Sequence, residues 1–152
     1  MHSDLNFNTP SSMQFTGNSG DQQTEAIIFG RKVRSIKANL CGGDSGVLIP
    51  IELDGLPFYP KRVFFIRDVP SGTVRGQHAH RSDRQILFCL NGAIKVTTCY
   101  NDETLVKVLD KPNCGLLIEP GVWSSQEYLL SDSVLLVFSS ARYDPDDYVN
   151  KI

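Results

Sequence analysis

The chain predicts an all-β sandwich or barrel on three observations: short β-branched and aromatic runs recur at regular intervals, turn residues separate them, and no stretch carries a helical period. The runs are Lys32 to Ala38, Gly46 to Glu52, Arg62 to Asp68, Gln85 to Leu90, Ala93 to Tyr100, Thr104 to Leu109, Gly115 to Glu119 and Ser133 to Ser139. Asn91-Gly92 marks a hairpin turn, because both residues accept the left-handed backbone that a two-residue turn requires. Lys111-Pro112-Asn113 marks a further break. The acidic segment Tyr143 to Ile152 is expected to add a short helix or an arm.

Residues 1–25 are rich in Ser, Asn, Gln, Gly and Thr and lack a sustained hydrophobic period, so they are read as a flexible extension. Residues 26–152 form a single domain, within the size range in which one core suffices. A net charge of -2 and a pI near 5.9 argue against a nonspecific nucleic-acid binder. No apolar run of about 18 residues is long enough to span a bilayer, and no basic stretch followed by an apolar core reads as a signal peptide. A cytoplasmic location is expected. Cys41, Cys89, Cys99 and Cys114 show neither C-x-x-C pairing nor zinc-ribbon spacing and are read as buried free thiols.

The most informative string is Gly72-Thr73-Val74-Arg75-Gly76-Gln77-His78-Ala79-His80. Residues two apart on a strand share a face, so His78 and His80 project into one space while the small Ala79 packs behind them. Gly72, five residues, His-x-His, four residues, Gln85, six residues and Gly92 together resemble the first motif of the cupin superfamily, with Gln85 in place of its usual Glu. The second cupin motif survives as Gly115 through Pro120-Gly121-Val122-Trp123-Ser124, without its histidine. Two imidazoles and an amide are a poor donor set for a divalent cation, so no metal is expected. The resemblance implies a double-stranded β-helix, or jelly-roll, barrel.

Within the cupins, the chain from about Lys32 to Val149 resembles the dTDP-sugar 3,4-ketoisomerases, metal-independent enzymes that make precursors of deoxyamino sugars for bacterial surface polysaccharides. The resemblance rests on Arg62-Val63, Arg75-Gly76-Gln77-His78-Ala79-His80, Leu90-Asn91-Gly92, Pro120-Gly121-Val122-Trp123, Tyr143-Asp144 and Asp147-Tyr148. Three departures stand out. Asp44-Ser45-Gly46 lacks the Arg of the family's Asp-Ser-Arg-Gly, Phe64 and Phe65 stand where Tyr is common after Arg-Val, and Ser124 replaces the His that follows Trp.

The reaction that the resemblance implies moves a carbonyl from carbon 4 to carbon 3 of a hexose through an enediol, with a base, an acid and no cofactor. Imidazole titrates near neutral pH and suits both roles. The resemblance assigns His78 as base and His80 as acid or shuttle. It also marks Arg62 and Arg75 for the diphosphate of a dTDP-linked keto-deoxyhexose, since guanidinium forks match phosphate oxygens. Arg67 and Arg84 are candidates of the same kind, each balanced against a solvated surface charge. Phe64, Gln85 and Trp123 are further candidates for contact with substrate, Trp123 by stacking or else by packing. Two other readings stay open: a nucleotide-sugar epimerase, which would pair a His base with a Tyr acid, and a cupin that binds a nucleotide sugar without turning it over. A homodimer is expected, with the apolar run Val134 to Phe138 taken as an edge worth covering.

Overall fold

The computed structural model describes residues 32–150; the extension expected over 1–25 lies outside them. In chain order the strands are β1 (Val33–Lys37), β2 (Cys41–Gly43), β3 (Gly46–Leu48), β4 (Arg62–Ile66), β5 (Val74–His80) and β6 (Gln85–Asn91). There follow β7 (Ile94–Tyr100), β8 (Glu103–Leu109), β9 (Cys114–Ile118), β10 (Trp123–Tyr128), β11 (Val134–Ser139) and β12 (Tyr148–Val149). Single 3-10 turns cover Leu53–Gly55 and Pro145–Asp147. One sheet runs β1-β9-β6-β11-β4 and the other β12-β5-β10-β7-β8, and β2-β3 is a separate hairpin.

Both sheets contribute to one interior. Val33, Leu87, Cys89, Leu116, Ile118, Leu135 and Val137 of the first meet Ile94, Val96, Leu109 and Tyr128 of the second, with Val122 beside them. This is the jelly-roll of the cupin fold, in which alternate residues of each strand fill the space between two antiparallel sheets. A second cluster coats the outer face of the first sheet: Ile36, Ile86, Phe88, Leu117 and Phe138 are covered by Ala38 and Leu56, with Ile49, Ile51 and Phe58 packed alongside. The strands of this sheet are thus apolar on both faces. Each large side chain so buried contributes about 1.5–3 kcal/mol.

Asn91-Gly92 turns the chain between β6 and β7, but these strands lie in different sheets and do not pair, so the turn is a crossing between sheets and not the expected hairpin. Gly92 is held at φ 77° with no space for a side chain, since a Cβ there would meet Ser133 Oγ at 2.4 Å. Asn101 and Asp102, both left-handed, form a two-residue hairpin between β7 and β8.

Four further expectations need correction. The run Gly46 to Glu52 is a strand only as far as Leu48, because Ile49 and Ile51 leave the hairpin to cover the outer sheet face. The predicted strands omitted the short β2, and also β10, whose Ser-Ser-Gln-Glu center carries little apolar signal. The run Val134 to Phe138 is not an edge, since β11 lies between β6 and β4. Of the four free cysteines, only Cys89 is buried; Cys41, Cys99 and Cys114 are partly exposed. The expected C-terminal arm is present as the Pro145–Asp147 turn followed by β12, which pairs with β5.

Candidate active site

The site begins with an irregularity in β5. Against β10, Arg75 pairs with Gln126, Gly76 with Ser125 and His78 with Ser124, so Gln77 is an extra residue with no partner in that ladder. Gly76 and Gln77 take φ 80° and 62°, the left-handed region that lets the chain bulge. Arg75 and His78 are three apart and on a regular strand would face opposite ways. The bulge puts both on the inner face, opposite Gln126 and Ser124, whose β7 partners Val96 and Thr98 are buried. A Cβ at Gly76 would lie 2.6 Å from Gln126 Oε1, so a side chain there would displace the Gln126 amide.

His78 and His80 meet as their alternation predicts, with Nε2 atoms 3.2 Å apart and rings edge to face at 4.9 Å between centroids. Ala79 packs behind them, 6% exposed. His78 Nδ1 lies 3.0 Å from the Gly76 carbonyl oxygen and donates to it. Burial lowers the His78 pKa; the Gly76 carbonyl opposes this and the neighboring His80 adds to it.

His80 Nδ1 lies 3.0 Å from Asp147 Oδ2. The Asp147 carboxylate, almost fully buried, also accepts from Ser82 N at 2.8 Å, Ser82 Oγ at 2.7 Å and Asp83 N at 3.3 Å. Burial alone would raise its pKa, but the donors from Ser82, His80 and Asp83 outweigh burial and hold it below the usual carboxylate value. The result is a His–Asp dyad in which the carboxylate orients the ring and can stabilize its cation. Tyr148, next in sequence, sets its ring against both imidazoles, at 4.5 Å from His78 and 4.9 Å from His80. No role for Asp147 or Tyr148 was assigned from sequence, although the Asp147-Tyr148 string was noted. They reach the site only because β12 returns to pair with β5, His80 opposite Tyr148.

The other candidates divide. Gln85 is in the site, but its amide nitrogen lies 3.1 Å from His80 Nε2 and 3.0 Å from Asp83 Oδ2, so it is tied to the protein's own groups. Arg62 lies over the Phe64 ring at 4.8 Å and faces the Tyr143 ring at 5.6 Å, and its buried Nε has no partner among the described residues. Phe64 packs against the interior, whereas Phe65 points outward. Arg75 is exposed on the inner wall, close enough to Tyr128 to favor its phenolate, although burial dominates and pushes the Tyr128 pKa up to about 12.

Trp123 is not brought to the imidazoles: it pairs with Cys99 on the face of β10 opposite that of Ser124. Arg84 is committed elsewhere, with two bonds of 2.7 Å to Glu119 and one of 2.9 Å to the Pro57 carbonyl. Arg67 pairs with its exposed neighbor Asp68. Among the described residues no group of three or more His, Cys, Asp and Glu could hold a metal ion. Asp147 also lines a cleft of about 870 Å³ with Tyr59, Lys61, Arg142 and Tyr143.

This arrangement can move a proton on and off a carbon acid, with an oriented imidazole as base and a second within hydrogen-bond reach. Comparison with known proteins points the same way. The chain is 38% identical over 109 residues to TDP-4-oxo-6-deoxy-alpha-D-glucose-3,4-oxoisomerase of Aneurinibacillus thermoaerophilus, covering 70% of this chain and 77% of that one. Its fold superposes on the sugar 3,4-ketoisomerase QdtA of Thermoanaerobacterium thermosaccharolyticum, solved in complex with TDP, with a TM-score of 0.76, 37% identity and coverage of 79% and 88%. A mutant of that enzyme is known in complex with TDP-4-keto-6-deoxyglucose. A 3,4-ketoisomerase from Helicobacter canadensis gives a TM-score of 0.74 at 27% identity, covering 78% and 90%. The model of the FdtA family, described as WxcM-like, C-terminal, matches residues 31–152, and the chain belongs to that family.

Proposed function

We propose that this protein is a sugar-nucleotide 3,4-ketoisomerase that moves the carbonyl of a dTDP-4-keto-6-deoxyhexose from carbon 4 to carbon 3 with no metal or cofactor. The observation that carries this reading is the pair of imidazoles 3.2 Å apart with Asp147 behind one of them. Relatives named as 3,4-ketoisomerases support it over the epimerase and binding-only readings. In the forward reaction a base removes the carbon 3 proton, the electron pair moves into an enediolate, and an acid returns a proton to carbon 4. The dyad favors His80 as the base, because Asp147 compensates the charge that His80 gains. His78 then serves as the acid, which exchanges the roles that family resemblance implies.

The unpartnered Nε of Arg62 fits a group that brings an acceptor, such as a diphosphate oxygen, and Arg75 on the same inner wall supplies further positive charge. The reading places the enzyme in deoxyamino-sugar synthesis for surface polysaccharide. Its free thiols suit the reducing cytoplasm. A homodimer is part of the proposal: β4 is a sheet edge whose outward Val63 and Phe65 are 51% and 64% exposed. Light scattering at micromolar concentration should give twice the chain mass, and a monomer there refutes that element.

The test of function is incubation with dTDP-4-keto-6-deoxyglucose in deuterated water, followed by NMR. A 3-keto product with deuterium at carbon 4 supports isomerization. A ketone retained at carbon 4 with label on the adjacent carbons indicates epimerization, and no label beyond background indicates binding alone. His80→Asn should abolish carbon 3 exchange, whereas His78→Asn should still exchange carbon 3 while forming product slowly. If both variants turn over at the parent rate with the fold intact, the two-imidazole mechanism is wrong.

A further inference from the structure

The imidazole pair poses a proton-counting problem. His78 Nδ1 faces the Gly76 carbonyl, which only accepts, and His80 Nδ1 faces the ionized Asp147 carboxylate, so both Nδ1 atoms carry hydrogen. Neutral rings would then present two lone pairs to each other at 3.2 Å, a contact that becomes a hydrogen bond only when one proton lies between them. The pair alone does not say which ring owns that proton. Gln85 breaks the symmetry. Its amide nitrogen bridges His80 Nε2 at 3.1 Å and Asp83 Oδ2 at 3.0 Å.

The amide cannot be reversed, because its oxygen would then face the Asp83 carboxylate. Asp83 is itself fixed: it is 4% exposed, its Oδ2 also accepts from Ser139 Oγ at 2.7 Å, and its Oδ1 accepts from Ser140 Oγ and Ala141 N, each at 3.0 Å. One amide hydrogen therefore points to Asp83 and the other to His80 Nε2.

We infer that Asp83 and Gln85 are positioning residues that set the proton polarity of the pair, holding His80 Nε2 as acceptor and leaving the shared proton on His78. The catalytic consequence rests on the ketoisomerase reading: an incoming carbon 3 hydrogen displaces the His78 and Gln85 donors from the single His80 lone pair, and the freed His78 N–H becomes the donor for carbon 4. The polar groups around His80 are His78 on its own strand, Asp147 on the 3-10 turn, Tyr148 on β12, and Gln85 backed by Asp83 at the start of β6.

The test is nitrogen-15 NMR of the imidazoles in the full substrate-free chain, beside Gln85→Glu and Gln85→Met. In the parent, His80 Nε2 should read as an unprotonated acceptor. In Gln85→Glu the new carboxylate demands a donor, so the proton moves to His80 Nε2. In Gln85→Met the two Nε2 signals should converge, and that variant decides the matter if the glutamate protein does not fold. Turnover of Gln85→Glu should fall about 100-fold or more in kcat, with KM within about threefold. A parent with the proton on His80 Nε2, or tautomers unchanged across the variants, overturns the inference. A parent with the expected tautomers but no isomerization sinks the functional reading and leaves this one standing.

Discussion

Replacing Asp147 by Asn exchanges one carboxylate oxygen for an NH2 group and should silence the enzyme. Asp147 Oδ1 accepts from Ser82 N and Oγ at 2.8 and 2.7 Å, so the amide oxygen of the variant stays there. Its NH2 then occupies the Oδ2 position, facing His80 Nδ1 and Asp83 N, both donors. His80 must carry its hydrogen on Nε2 instead, which removes the lone pair that takes the substrate proton. Positioned base catalysis is typically about 10² to 10⁴-fold, so kcat should fall by that factor, or about 2.7–5.5 kcal/mol in activation energy. Stability should fall by about 1–3 kcal/mol for the buried donors left without an acceptor.

The pH dependence has a definite sign. Because the folded Asp147 pKa is lowered, its stabilization is complete above the ordinary carboxylate value of 3.8 and is lost as pH falls through the folded value. The gap in melting temperature between parent and variant should therefore close in acid. Initial rates by NMR and thermal melts from neutral pH downward read both effects. A folded Asn variant with kcat within about threefold of the parent would refute the dyad.

Other expectations concern the scaffold and its thiols. Gly76→Ala should destabilize by at least about 1–2 kcal/mol from its φ of 80°, with more from displacing Gln126, and should lower activity as the wall of β5 shifts; thermal melting and rates check it. Cys89 is 1% exposed and burial pushes its thiol pKa up to about 11, so a thiol reagent at pH 8 should label Cys41, Cys99 and Cys114 first and Cys89 only on unfolding, as peptide mapping would show. Turnover should persist in chelator, and loss of activity restored by one divalent ion per chain would contradict the proposed metal-free chemistry.

The strands of the apolar interior were legible because their side chains must alternate or be buried on both sides, and Asn91-Gly92 announced a turn, though one that carries the chain from one sheet to the other rather than a hairpin. The imidazole pair was legible because two residues of one tripeptide decide it. What failed was what depends on distant parts of the chain. Asp147 is 67 residues from His80, and only the β12–β5 pairing joins them. β10 hid because its inward side chains Ser124 and Gln126 are polar. Trp123, open to either stacking or packing from its motif, lies one step of strand alternation from Ser124 and so on the opposite side of the sheet. Arg84, balanced in the sequence between phosphate contact and surface charge, is held by Glu119, 35 residues away.

The bulge at Gly76-Gln77 has a bearing on how such walls are recognized at all. Which side of a sheet a residue serves is a matter of odd and even counting, and a bulge is a silent change of count. An arginine three residues before a histidine builds the same wall here as an arginine two residues before it would on an unbroken strand. Two chains whose spacing differs by one residue can thus present the same face to a sugar nucleotide, while two with equal spacing can present opposite faces. The left-handed pair at Gly76 and Gln77 is therefore as much a part of the recognition pattern as the histidines that follow it.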